Sequence, residues 1–192
     1  MIKFSNFQQL DPAARDVASE LLANAENQRH TFMGFIYRWI AFNAWMSAVT
    51  LKSTDREMID SLVAVPRLIE VFDRLMADDQ HFQQMVADFA AKWPVLNVSS
   101  VRAKLGYDAF CRYDREALLA LCATTNMKQQ PIGWIAGAAP NWGRLLRTIY
   151  HVRCNLFHGE KSPQSLRDHT LVSDADRVLA HFIATTRCFE WH

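Results

Sequence analysis

Arg153 and His158 lie five positions apart near the end of the chain, and their chemistry is the most distinctive in the sequence. Arginine presents a planar fork of donors that meets two oxygens of a phosphate or carboxylate at once. Histidine, with an unperturbed pKa of about 6.5, can take or give a proton near neutral pH. The pair could therefore hold an anion and move a proton beside it. Each residue also has a plainer reading. Arg153 could be one half of a structural ion pair with a core carboxylate. His158 could cap a helix C-terminus against its last carbonyls.

The stretch that carries them, residues 144–161, reads RLLRTIYHVRCNLFHGEK. Plotted at about 100° per residue, Trp142, Leu145, Leu146, Ile149, Tyr150, Val152, Leu156 and Phe157 fill one broad apolar arc. Arg144, Arg147 and His151 lie opposite, a basic face that is either a solvated surface or a contact for RNA backbone. Arg153 falls near the middle of the apolar arc. A guanidinium there must find a carboxylate, a phosphate or a carbonyl, because an unpaired buried charge costs several kcal/mol or more. Asn141 can cap this helix, and Gly159 can end it, with Pro163 soon after. If the helix continued through His158, Arg153 and His158 would point about 140° apart. They converge only if the helix stops near Phe157 or if two chains pool their residues.

Elsewhere the chain reads as helices. Asp11-Pro12 starts one that runs to about Asn24. Residues 28–51 form a long one with Phe35, Trp39, Phe42, Met46 and Val49 on one stripe, flanked by Arg38 and Asn43. Thr54-x-x-Glu57 is a capping box for a short helix. Pro66 starts another, and Asp79 opens one that Pro94 closes. Residues 97–140 are less regular, with short helices expected at 99–105 and 114–123. Pro131, Gly133, Gly137 and Pro140 then mark a loop, and a loop of that length is either functional or mobile. Ser173 is expected to cap a terminal helix over about 173–190. No segment alternates as a strand does, so the fold class is all-α.

At 192 residues the chain fits one domain, residues 1–192, with an irregular insert at about 97–140. Half of it is hydrophobic, and a net charge of +1 puts any nucleic-acid contact in a local patch. Cys111, Cys122, Cys154 and Cys188 have no CxxC spacing, which argues against a zinc knuckle or a disulfide framework. The seven histidines lack HExxH or comparable spacing, so no metal is expected. Without a P-loop, GxGxxG or GxSxG, no cofactor is expected either. No signal peptide or long uncharged apolar run is read, which places the protein in the cytoplasm and off the membrane.

Arg153-Cys154-Asn155-Leu156-Phe157-His158 resembles the R-x(4–6)-H motif of HEPN domains, small all-helical domains of prokaryotic defence, toxin–antitoxin and RNA-processing systems. The aromatic helix of residues 35–45 upstream and the terminal helix downstream suit that resemblance. One departure is Cys154, where the family usually has a polar residue directly after the arginine. The resemblance implies a HEPN-like antiparallel helical bundle and a homodimer whose two motifs form one composite site. It further implies a metal-independent endoribonuclease in which His158 handles the 2′-OH proton and Arg153 stabilises the transition state. The products would be a 2′,3′-cyclic phosphate and a 5′-hydroxyl, and DNA should resist because it lacks the nucleophile. The partners implied are RNA and an antitoxin such as a small nucleotidyltransferase. Asn43 could orient His158 or the phosphate, or be a hydrogen-bonded core amide. Arg38, which could also snorkel to solvent, joins Asn155, Arg147 and Lys161 as the remaining substrate-binding candidates. The alternative is a HEPN-like module that has lost catalysis and binds RNA or nucleotides, or assembles with protein.

Overall fold

The computed structural model describes residues 2–28, 31–108, 112–125, 127–159 and 165–192. Among them the regular structure is ten α-helices, one 3-10 turn and a single pair of two-residue strands, so the chain is all-α. The helices are α1 Ser5–Gln8, α2 Pro12–Asn27, α3 Phe32–Thr50, α4 Asp55–Leu62, α5 Pro66–Asp78, α6 Gln80–Ala90, α7 Val98–Leu105, α8 Arg115–Thr124, α9 Trp142–Phe157 and α10 Leu166–Thr186. The strands β1 Val95–Leu96 and β2 Gln129–Gln130 pair antiparallel.

The centre of the molecule is α3. Thr31 caps it by accepting from the Gly34 amide at 3.0 Å, and Leu51 ends it in the left-handed region at φ 54°. Phe35, Trp39, Phe42, Trp45, Met46 and Val49 are all essentially inaccessible, as a stripe at helical spacing requires. α2 packs along α3, and where the chain turns from one to the other a Cβ on Gly34 would stand 2.2 Å from the carbonyl oxygen of Gln28, the cap of α2. α10 packs across α3 and α6. Arg38 ties three helices together: its Nε donates to Asp176 of α10 at 2.8 Å and one Nη to Glu26 of α2 at 2.9 Å. It does not snorkel. Its side chain is 2% exposed, because it is drawn inward to the wholly buried Asp176, while Glu26, 49% exposed, meets it from the surface side.

Two expectations need correction. The terminal helix starts at Leu166, not at Ser173, and its cap is Ser165, whose hydroxyl accepts from the Asp168 amide at 3.3 Å. The insert is more ordered than its turn residues suggest. Its two short helices form as expected, and β2 returns to pair with β1, in the register Val95 with Gln130 and Leu96 with Gln129. Leu96, Val101, Leu118, Cys122 and Met127 give it a small apolar cluster separate from the main core.

Candidate functional site

The motif helix α9 begins and ends where its residues direct. The Asn141 side chain accepts from the Arg144 amide at 2.9 Å. At the other end Phe157 is the last helical residue, and His158 is the cap, its amide bonded to the Cys154 carbonyl at 3.1 Å. Gly159 follows with φ +69°, a conformation open to a residue without Cβ. His158 is therefore exposed at the helix end, and its ring has no side-chain partner among the described residues.

Arg153 is anchored by Asp55, the first residue of α4. One Nη of Arg153 stands 3.2 Å from Asp55 Oδ2, with the two side chains about one quarter exposed, at 24% and 21%. The other Asp55 oxygen accepts from Asn43 Nδ2 at 2.7 Å. The first turn of α4 suits a carboxylate, because the helix N-terminus carries partial positive charge. The guanidinium also lies over the Phe157 ring at 4.3 Å and 6.0 Å from the Trp39 ring centroid, contacts that favour a cation by about 0.5–2 kcal/mol. Asp55 engages one corner of the fork. The remaining N–H groups have no acceptor among the described residues.

Tyr150 completes the cluster. Its ring stacks on Trp39, with centroids 6.1 Å apart and planes at 22°. Burial pushes its phenol up to about 12, and a hydrogen bond with Cys154 and the nearby Asp55 charge act in the same direction, opposed by Arg153. The phenol is thus a neutral donor at physiological pH, not a base.

The other sequence candidates are dispersed. Asn155 is buried, its amide donating to the Leu96 carbonyl at 2.9 Å and its oxygen accepting from the Val98 amide at 3.3 Å. It holds the insert on α9. Arg147 pairs with Asp60 at 3.0 Å. Arg38 is committed to the core ion pairs described above. Lys161 lies outside the described residues. The basic face of α9 is not an open surface: His151 is 9% exposed, and Arg144 lies over the Trp134 ring at 5.6 Å. The insert covers this side and borders a partly open cleft of about 780 Å³ between itself, α4 and α9.

The structure therefore brings Arg153 and Asn43 together through Asp55, and leaves His158 at the exposed end of the same helix. Asp55 itself escaped the sequence reading, although Thr54-x-x-Glu57 had already placed a carboxylate in the first turn of α4. No cluster of metal-ligating side chains occurs among the described residues. No helix among them is long and apolar enough to cross a membrane. Compared with family models, curated proteins and solved structures, the chain gives no match.

Proposed function

We propose that the chain is a HEPN-like, metal-independent endoribonuclease that works as a homodimer. Arg153 holds the scissile phosphate and His158 transfers the proton. The observation that carries this reading is the end of α9: the helix stops at Phe157, so His158 stands free just past it while Asp55 and Phe157 fix Arg153 from two sides. A cation whose fork is held in place loses little freedom on meeting a phosphate. The Nη groups of Arg153, not the buried Nε, are the donors a phosphate would engage.

Support for two copies comes from α3, which is apolar around most of its circumference. Met33 and Ile40 are exposed at 43% and 41% on the side that includes the half-buried Ile36 and Tyr37. These positions recur at i, i+3, i+4 and i+7, the pattern of a buried helix face. Asn43 continues the same side toward Asp55, so a second copy docked there would meet the Arg153 cluster. A toxin–antitoxin or phage-defence setting, with RNA as substrate and a small nucleotidyltransferase as antitoxin, is the context the family resemblance implies.

The test is cleavage of a structured, end-labelled RNA in EDTA by wild type, His158→Ala and Arg153→Ala. Wild type should leave 2′,3′-cyclic phosphate ends. Each variant should lose roughly 10²-fold or more, the scale of a removed acid–base group. Equal cutting by all three would overturn the assignment. A second reading, a non-catalytic RNA-binding or assembly module of the same build, is favoured by Asp55, which offsets the charge of Arg153, and by Cys154 after the arginine. Retained RNA binding without cleavage by wild type would select it.

A further inference from the structure

The loop that follows β2 is a part of the surface that the nuclease reading leaves unused. Residues 131–140 read PIGWIAGAAP, a run without a charge in which the Trp134 indole is the one side chain able to hydrogen-bond. Such a run would ordinarily be found in a core, yet this one lies outside. Ile132 is 76% exposed and Ile135 73%, and Gly133, Ala136, Gly137 and Ala139 are exposed beside them. The loop is also pinned in that position. Pro131 is buried at its start, and Trp134 packs edge-on against Trp93, with centroids 4.9 Å apart. Gly133 and Gly137 turn the backbone at φ +61° and +83°. With the indole held down, the isoleucines on either side of it stand in solvent.

The charge around the loop is of one sign. Between Glu116 and Glu160 the chain has no carboxylate, while Lys128, Arg144, Arg147 and Arg153 are cations. Ile132 lines the cleft together with Lys128 and Arg147, and Arg144 lies over the Trp134 ring, next to Ile135. Arg147 is paired with Asp60, whereas Lys128 and Arg144 have no carboxylate partner among the described residues.

We propose that this loop docks the protein on an anionic lipid surface, with Ile132 and Ile135 entering the boundary between headgroups and acyl chains and Lys128 and Arg144 meeting the lipid phosphates. Two isoleucines and a few alanine methyls fall far short of the roughly 800 Å² per partner that a stable protein interface buries. A bilayer needs no matching surface, and it favours apolar side chains and cations presented together. Each Lys or Arg near an anionic leaflet strengthens attachment roughly fivefold. The loop backbone stays at headgroup depth, where water still satisfies its N–H and C=O groups. No helix among the described residues is long and apolar enough to cross a bilayer, so the contact is peripheral. The expectation of a chain off the membrane rests on spanning segments, which this contact does not need.

The experiment is co-sedimentation of the full chain with vesicles of phosphatidylcholine alone, and of phosphatidylcholine with about 30% phosphatidylglycerol, in about 0.1 M salt. Partition onto the anionic vesicles should exceed that onto the neutral ones at least tenfold, from two cations at roughly fivefold each. The double variant Ile132→Ser, Ile135→Ser, with circular dichroism to confirm its fold, should partition at least tenfold more weakly than wild type. Lys128→Glu should weaken partition roughly fivefold or more. Absence of binding to the anionic vesicles would overturn the proposal. So would equal partition onto both kinds of vesicle, or a serine variant that binds as wild type does. A wild-type dimer that the serine substitutions dissociate would assign the loop to a contact between copies, and would overturn it too. Because the readout is vesicle binding and not cleavage, failure here leaves the nuclease reading standing, and failure of that reading leaves this one.

Discussion

A carboxylate beside an arginine that is to meet phosphate acts in two opposed ways. Asp55 offsets the positive charge of Arg153, which weakens attraction for an anion. It also holds one corner of a flexible side chain whose immobilisation would otherwise cost about 2 kcal/mol of rotamer entropy. With Arg153 one quarter exposed, water screens the first effect more than the second. The neighbouring phenol gives a direct check on this environment. The folded state holds Tyr150 at about 12 against an ordinary value of 10.0, so it favours the neutral form. The corresponding stability is complete below about pH 10 and is lost as pH rises toward 12. Titration followed by tyrosinate absorbance should show a late step that belongs to Tyr150, toward pH 12. Tyr150→Phe should remove the late step and keep the stack on Trp39. Absence of the late step in wild type would contradict the burial described. At this scale the sequence revealed that Arg153 needed a partner but not which one. Ion pairs join residues remote along the chain, here 55 and 153, and helical periodicity carries no information about such distances.

Elements were far more legible than partners, because capping is local. Asp11, Thr54, Asp79 and Asn141 cap the helices they were expected to cap. Ser173 was misread for a physical reason. The first turn of α10 projects past the core, with Leu166 83% exposed, and burial begins only at Leu171. The apolar signal therefore starts one turn late, and the serine nearest to it looked like the cap. Strand β1 was invisible since two residues cannot show alternation, and its pairing comes from across the insert. The tight contact between Gly34 of α3 and Gln28, the residue that caps the end of α2, makes its own prediction. A methyl at position 34 would overlap the Gln28 carbonyl oxygen, which is backbone and cannot rotate away. Gly34→Ala should therefore destabilise by about 2 kcal/mol or more despite the better helix propensity of alanine. Thermal melting should show a fall of at least roughly 5 °C. An unchanged melting temperature would mean that α2 and α3 do not approach as described.

For the whole molecule the open question is how many copies act together. If α3 presents its exposed stripe to a second copy, light scattering should give a dimer for wild type. Ile40→Lys, which puts a charge at the centre of that stripe without touching the core, should shift it to monomer. The helical circular dichroism should be kept and RNA cleavage lost. Monomeric wild type, or a variant still dimeric, would count against the composite site. What makes one copy cohere is clearer. Arg38 joins α2, α3 and α10 through Glu26 and Asp176, and Asp176 is wholly inaccessible. Removing either partner of such a pair strands a charge at a cost of about 3–5 kcal/mol, whereas exchanging both for apolar residues of similar size is often nearly neutral. Mutational drift at positions 38 and 176 thus faces a valley between two tolerable sequences. Descendants of this chain would be expected to keep both residues or to have changed both, and an intermediate with one altered would survive only where stability is in surplus.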